Sequence, residues 1–353
     1  MSDNRTFTAA MVQMRTGLMP EPSLEQAMQL IRQAAAAGAD YVQTPEVSNM
    51  MQLNRKALFE HLASEEDDKS LKAYRALAKE LKIHLHVGSL ALRFSPEKAV
   101  NRSFLISPEG AVLASYDKIH MFDIELPDGE SYRESANYQP GETAVISDLP
   151  WGRIGLTICY DVRFPALYRA LAESGAAFLT VPSAFTRKTG EAHWHILLRS
   201  RAIETGCFVF AAAQAGMHEN KRETFGHSLI VDPWGRVLAE GGSEPGVVMA
   251  EIDPSQAATA VAASVPSSRS SASSPSDSPT KSLRDNACRI GKPRAAMSAV
   301  CRSTSRECAV VFPKSRVGST RMRSSGMPAC CAVRAPAARV RSTSRTTSSG
   351  SGP

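Results

Sequence analysis

Aromatic and acidic residues almost vanish from the last hundred positions of this 353-residue chain, and their absence divides it. Of 22 aromatic residues only Phe312 lies beyond Pro254. Residues 255–353 hold 3 Asp+Glu against 16 Lys+Arg, a net of +13. The preceding 254 residues hold 32 against 25, a net of −7. The overall charge of +6 therefore belongs to the C-terminal segment and supports no nucleic-acid argument for the rest. Serine supplies 23 of those last 99 residues, so little apolar surface is there to offset chain entropy. The segment is expected to carry no regular structure. Without stacking groups, its attraction to polyanions is expected to be non-specific and salt-sensitive, so no specific nucleic-acid partner is expected.

Long hydrophobic runs are missing too. No stretch reaches the roughly 18 apolar residues that span a bilayer. Met1–Gly17 has no basic region followed by an apolar one, so neither a membrane partner nor a secretory leader is expected. Cysteine is scarce where a core could form: Cys159 and Cys207 are alone before residue 255. That is no disulfide framework, and a reducing cytoplasm is the expected compartment. The other five, Cys288, Cys301, Cys308, Cys330 and Cys331, would cross-link on oxidation. A frameshift in a GC-rich gene would yield such an abrupt Ser/Arg/Ala/Pro-rich change; a functional basic tail is the alternative.

What is present, over residues 1–254, is one domain's worth of well-patterned sequence. Strands are expected at Phe7–Met14, Tyr41–Thr44, Ile83–Leu90, Ile154–Ile158, Ala177–Val181, Cys207–Ala213 and Val247–Ile252. Hairpins are expected at 102–116 and 227–240, around Pro-Glu-Gly and Pro-Trp-Gly. Helices are expected after Ser23, which stands with Gln26 as a capping box, with Gly38 as the C-cap. Others are expected over Leu71–Leu81, Phe164–Glu173 and Glu191–Glu204. The alternation points to a layered α/β domain with mixed sheets. Tyr41, Tyr74, Phe210 and Cys207 read as core. Trp151 and Trp234 read as turn residues packed on the domain, and Glu65–Asp68 as a favourable helix start.

Three residues carry chemistry. Cys159 ends a strand and opens a turn into a helix, where α/β enzymes bind ligands and backbone N–H groups stabilise anions. The bland alternative, a small buried hydrophobe, is equally supported by position alone. Glu46 follows a strand, and Lys118 follows the first hairpin. Singly, each reads as a solvated side chain.

Together the surrounding segments resemble the nitrilase superfamily of carbon–nitrogen hydrolases, over residues 6–254. The matching segments are Thr44-Pro-Glu46, Tyr116-Asp-Lys-Ile-His-Met-Phe-Asp123 and Gly155-Leu-Thr-Ile-Cys-Tyr-Asp-Val-Arg-Phe-Pro165. Pro182-Ser-Ala-Phe185, Ala192-His-Trp194, Arg199-Ser-Arg-Ala202, Gly226-His-Ser228 and Asp232-Pro-Trp-Gly235 complete the set. The chain looks closest to the Nit branch, with its ω-amidase-like and deaminated-glutathione-amidase-like enzymes. The resemblance implies an α-β-β-α sandwich, a homodimer, and no cofactor or metal. It implies a Glu46–Lys118–Cys159 triad that hydrolyses a small linear amide to carboxylate and ammonia through a thioester. Cys159 would attack, Glu46 would move protons, and Lys118 with the backbone N–H of Tyr160 would stabilise the oxyanion. Glu134 would position Lys118 or orient substrate. A carboxylate-bearing substrate calls for a facing cation, for which Arg163 and Arg187 are candidates; Phe185 and His193 are candidate lining residues. Nitrilase or N-carbamoyl amino acid hydrolase activity uses the same triad, and a catalytically inactive scaffold is the alternative of another class. Two further readings compete. One is a Cys–His hydrolase with His120 or His193 as base. The other is a metal site among His193, His195, His218 and His227.

Overall fold

The computed structural model describes residues 6–125, 129 and 131–257, and the backbone of 298–301 and 307–311. Two mixed sheets stack face to face, each covered outside by a pair of helices. The first sheet has the order Gly246–Ile252, Phe7–Gln13, Tyr41–Gln43, His84–Arg93, Ala99–Ile106, Val112–Asp117. The second runs Val237–Glu240, Leu229–Val231, Phe208–Ala211, Ala176–Thr180, Gly152–Leu156, Thr143–Leu149. This is the α-β-β-α layering that the family resemblance implied.

The first strand shows why its sequence reads as one apolar run. Phe7, Ala9 and Met11 face the second sheet and join Trp151, Phe178 and Phe210 in the inter-sheet core. Ala10, Val12 and Met14 face the other way, onto Ile31 and Tyr74 of helices Pro20–Ala36 and Lys69–Leu81. With both faces buried, no alternation survives. Phe7 stacks on Trp151 with ring centroids 4.1 Å apart.

Some local expectations are corrected. Helix Pro20–Ala36 starts before Ser23, with Met19 as N-cap. Pro20 and Pro22 fit the first turn because its N–H groups need no helical partner. Ser23 instead donates to the Met19 carbonyl, and the Gln26 side chain accepts the Arg15 N–H. The helix C-cap is Ala37, with Gly38 just beyond it at φ 93°. Trp234 is 64% exposed, so it does not pack on the domain as Trp151 does. Asp68 does cap its helix, accepting the Leu71 N–H.

Several elements had no signal in the pattern: helix Arg55–His61, strand Thr143–Leu149, and the small hairpins Asp123–Glu125/Ser131–Arg133 and Ala215–Met217/Glu223–Phe225. Two more lie in the Ser/Arg-rich segment, where no structure was expected. Glu307–Val311 pairs antiparallel with Thr143–Leu149, and Ser298–Cys301 pairs with Glu307–Val311. A strand edge recruits a neighbour through backbone groups, so composition gives no warning of it. Residues 258–297, 302–306 and 312–353 lie outside the described residues. Among the described residues no helix is long and apolar enough to cross a membrane.

Candidate active site

The two sheets bring their strand ends together. Tyr41–Gln43 and Val112–Asp117 of the first sheet lead to Glu46 and Lys118; Gly152–Leu156 of the second leads to Cys159. The chain then bends sharply at two side chains that matter. Cys159 has φ 50° and Val47 has φ 49°, left-handed conformations unusual for residues with a Cβ.

Each bend is held by hydrogen bonds. The Cys159 N–H donates to the Pro182 carbonyl at 2.9 Å. The fully buried Asp161 carboxylate ties the turn together. It accepts the Ile158 N–H at 2.9 Å, the Tyr116 hydroxyl at 2.7 Å and the His120 N–H at 3.0 Å. On the Glu46 side, Val47 N–H donates to Ser89 Oγ and Gly88 N–H to Thr44 Oγ1. The Glu46 carbonyl accepts Gln214 Nε2 at 2.9 Å.

Lys118 Nζ donates to Glu46 Oε1 at 2.8 Å and to Glu134 Oε2 at 2.9 Å. Glu134 comes from a short 3-10 turn, Glu134–Ala136, and also accepts the Phe122 N–H at 2.7 Å. Asn101 Nδ2 spans both carboxylates, at 3.0 Å from Glu46 Oε1 and 3.3 Å from Glu134 Oε1. The other Glu46 oxygen accepts the Ala184 N–H at 2.9 Å.

The electrostatics follow from burial. Desolvation pushes the Cys159 thiol well up, and the Glu46 charge adds to that against the opposing pull of Lys118. Desolvation also acts to raise Glu46, but the Lys118 charge and hydrogen bonds from Lys118 and Cys159 outweigh it. The carboxyl ends below its usual range. Burial acts to lower the Lys118 ammonium, yet Glu134 and Glu46 hold it well above its ordinary value. The resting constellation is thus a thiol, a carboxylate and an ammonium. The thiol is neutral and stands beside the Glu46 carboxylate; it is not a free thiolate.

These groups line a cavity of about 460 Å³, within the usual range for small-molecule sites. Glu46, Lys118, Glu134, Cys159, Tyr160 and Phe185 all line it. Other expected residues do not. Arg163 packs over the Tyr160 and Phe185 rings and bonds His193, which is exposed. Arg187 is exposed and paired with Glu191 and Glu223. His120 stacks on Phe164 and bonds Asp161. The cationic and basic candidates Arg163, Arg187, His193 and His120 are therefore all absent from the lining.

Of the histidines weighed for metal, His218 is buried and bonded to Thr16 and Thr224. His195, His227 and Glu240 do converge, with ligand atoms within 4.8 Å of one another. Glu240 Oε1 pairs with both imidazoles, at 2.9 and 2.7 Å, and the trio does not line the cavity.

Asn101 and Arg222 line the cavity and were not singled out from sequence. Asn101 lies just before the expected hairpin at 102–116, within the observed strand Ala99–Ile106, and Arg222 lies in a loop, so spacing gave no signal for either.

The carbon–nitrogen hydrolase family matches residues 8–261. The chain belongs to that family. The hydrolase is 42% identical over 250 residues, 70% of its own chain and 85% of the other, to a deaminated glutathione amidase of Yersinia enterocolitica. Its fold is similar to the crystal structure of Saccharomyces cerevisiae Nit3, a member of branch 10 of the nitrilase superfamily. That likeness has TM-score 0.66 and 28% identity, over 75% of this chain and 96% of that one. It is also similar to a mutant amidase from Nesterenkonia sp. AN1 with the acetamide moiety of fluoroacetamide covalently added at its active site cysteine. There the TM-score is 0.62 and the identity 27%, over 72% and 92% of the chains.

Proposed function

We propose that this hydrolase cleaves a carboxylate-bearing linear amide, of the deaminated-glutathione or ω-amide type, through a Cys159 thioester. The observation that carries the reading is the buried Glu46–Lys118 pair beside the Cys159 thiol. Glu46, held as a carboxylate, takes the thiol proton as sulfur attacks the amide carbonyl. Lys118 and the Tyr160 N–H stabilise the oxyanion. Glu46 then protonates the leaving nitrogen, an amine departs, and a thioester remains. Water, activated by Glu46, hydrolyses the thioester and restores the thiol. A primary amide would release ammonia; deaminated glutathione would release a peptide amine instead. Glu134 acts through Lys118, as a positioning residue. The names borne by the Yersinia and Nesterenkonia relatives support amide chemistry.

The test compares wild type with Cys159→Ala on an ω-amide of a keto-dicarboxylate, deaminated glutathione, an N-carbamoyl amino acid and a simple nitrile. Expected are turnover of one of the first two, an acyl adduct on Cys159 by mass spectrometry, and loss of both in the variant. Turnover that survives Cys159→Ala would overturn the reading. The homodimer implied by the family belongs to the same proposal. Exposed Ile196, Ile203 and Trp234 are the surface it would cover, and sedimentation velocity would test it.

A further inference from the structure

Four buried side-chain polar atoms among the described residues have no hydrogen-bond partner: Tyr74 Oη, Asn101 Oδ1, Ser147 Oγ and Arg222 Nε. Buried polar atoms left unpaired are costly, so each such atom asks for an explanation. Two of the four, Asn101 Oδ1 and Arg222 Nε, belong to residues lining the cavity that holds Cys159. One is an acceptor and the other a charged donor.

Both orientations are fixed by their other partners. The Asn101 amide nitrogen faces two carboxylate oxygens, Glu46 Oε1 and Glu134 Oε1. Turning the amide over would set oxygen against carboxylate oxygen, so Oδ1 must face away from them. Asn101 itself is 1% exposed. Arg222 is clamped by its Nη2 donating to the Ala184 carbonyl at 2.7 Å, with the guanidinium 5.5 Å from the Tyr132 ring centroid. Ala184 in turn donates its N–H to Glu46, which couples the Arg222 anchor to the catalytic base through one residue. The lining as a whole is cationic: Lys118, Arg133, Lys221 and Arg222 stand against Glu46 and Glu134. Lys118 is engaged by both of those carboxylates. The surplus positive charge suits an anionic ligand.

We propose that Arg222 and Asn101 form a two-point substrate subsite beside Cys159: Arg222 Nε donates to a carboxylate on the substrate, and Asn101 Oδ1 accepts the N–H of the amide to be cleaved. This rests on the amide-hydrolase reading and adds to it. It replaces Arg163 and Arg187 as carboxylate partners, and it gives Asn101 a substrate contact besides its hold on Glu46 and Glu134. A planar guanidinium already anchored through Nη2 holds Nε in a fixed direction, which a flexible ammonium cannot reproduce, so lysine is not an equivalent here.

The probes are glutaramate, which carries a carboxylate, and pentanamide, which does not. In Arg222→Gln, kcat/KM for glutaramate should fall about 10- to 100-fold further than for pentanamide, mostly through KM. Arg222→Lys should recover only part of that difference. Because the comparison is between two substrates on one variant, partial unfolding cancels. For Asn101, the pair is glutaramate and monomethyl glutarate, an ester with no N–H to offer. Asn101→Ala should cost the amide about tenfold more than the ester. Calorimetry on Cys159→Ala, which does not turn over, measures binding independently. Glutaramate should bind more tightly than pentanamide, and Arg222→Gln should remove the difference. If the glutaramate-to-pentanamide ratio in Arg222→Gln equals that of wild type, or calorimetry finds no preference for glutaramate, the subsite is wrong. If Arg222-dependent glutaramate binding is found but no amide acylates Cys159, the subsite stands and the amidase reading fails.

Discussion

Lys118 Nζ lies 2.8 Å from Glu46 Oε1, with side chains only 2% and 6% exposed. One buried ammonium therefore pairs with the buried Glu46 carboxylate and, 2.9 Å away on its other side, with the carboxylate of Glu134. Neither carboxylate can be left alone in such surroundings without cost. Lys118→Met should destabilise the protein by about 3 to 5 kcal/mol and abolish turnover. Adding Glu46→Gln to Lys118→Met should restore part of the stability and none of the activity. Denaturant unfolding alongside product release checks both halves. A Lys118→Met protein as stable as wild type would sink the charge argument.

The neutral state of the Cys159 thiol sets the pH dependence. Burial first, then the Glu46 charge, pushes this thiol well up, so it does not ionise in the neutral range. Glu46 is held below its usual range by Lys118 despite burial. Base and acid forms therefore coexist from about pH 5 to about pH 9, and iodoacetamide alkylation of Cys159 should be nearly flat across that window. Cys207, which burial pushes up to about 11, should react far more slowly and about tenfold faster per pH unit. Glu46→Gln should slow Cys159 alkylation about 10²- to 10⁴-fold. Peptide mapping of the labelled thiols distinguishes the two cysteines. A Cys159 rate that climbs tenfold per unit would mean the thiol ionises without Glu46.

Gly88 packs against the backbone that carries Glu46. A Cβ there would meet the Thr44 carbonyl oxygen at 2.0 Å, Pro182 Cβ at 2.5 Å and the Pro45 carbonyl oxygen at 2.6 Å. Two of these are backbone atoms that cannot swing aside. Pro182 also accepts the Cys159 N–H, so the strain would reach both halves of the site. Gly88→Ala should lower kcat at least tenfold and destabilise by about 1 to 3 kcal/mol. Thermal unfolding and turnover measure the two effects, and a silent Gly88→Ala would contradict the geometry.

His86 is fully buried between Tyr41 Oη and Ser103 Oγ, and desolvation pushes it down to about 3. It is neutral in the folded protein at every working pH. Unfolded, it takes a proton below about pH 6.5. The unfolded chain then binds more protons than the folded one. Stability should fall by about 1.4 kcal/mol per unit as pH drops from about 6.5 toward 3, and be level in this respect above that window. His86→Gln should flatten that part of the curve. Urea midpoints at several pH values, wild type beside variant, provide the measurement; equal slopes in both would rule His86 out as the cause.

The layered fold was legible because strand and helix signals alternate, and because most core elements carry apolar residues at the right period. Tyr41, Tyr74 and Phe210 are all fully buried, as their settings suggested. The short hairpins near residues 124–132 and 216–224 were not legible, since each strand has three residues and no alternation to read. Those hairpins carry or border Tyr132, Arg133 and Arg222, which is why the cavity wall was misjudged. Arg163 and Arg187 had the right charge beside the right motifs, but aromatic rings and acidic neighbours occupy them instead.

By itself the sequence determined a layered α/β domain with mixed sheets and singled out Glu46, Lys118 and Cys159 as candidates, because strand ends and local motifs are encoded over a few neighbouring residues. Only the tertiary structure decided which side chains share one cavity, for that depends on contacts across both sheets. It decided that Lys118 is shared by Glu46 and Glu134, that Cys159 rests as a thiol, and that Asn101 and Arg222 face the space beside it. Burial is the physical reason: desolvation and charge pairing act over a few ångströms, between residues that stand 16 to 138 positions apart in the chain.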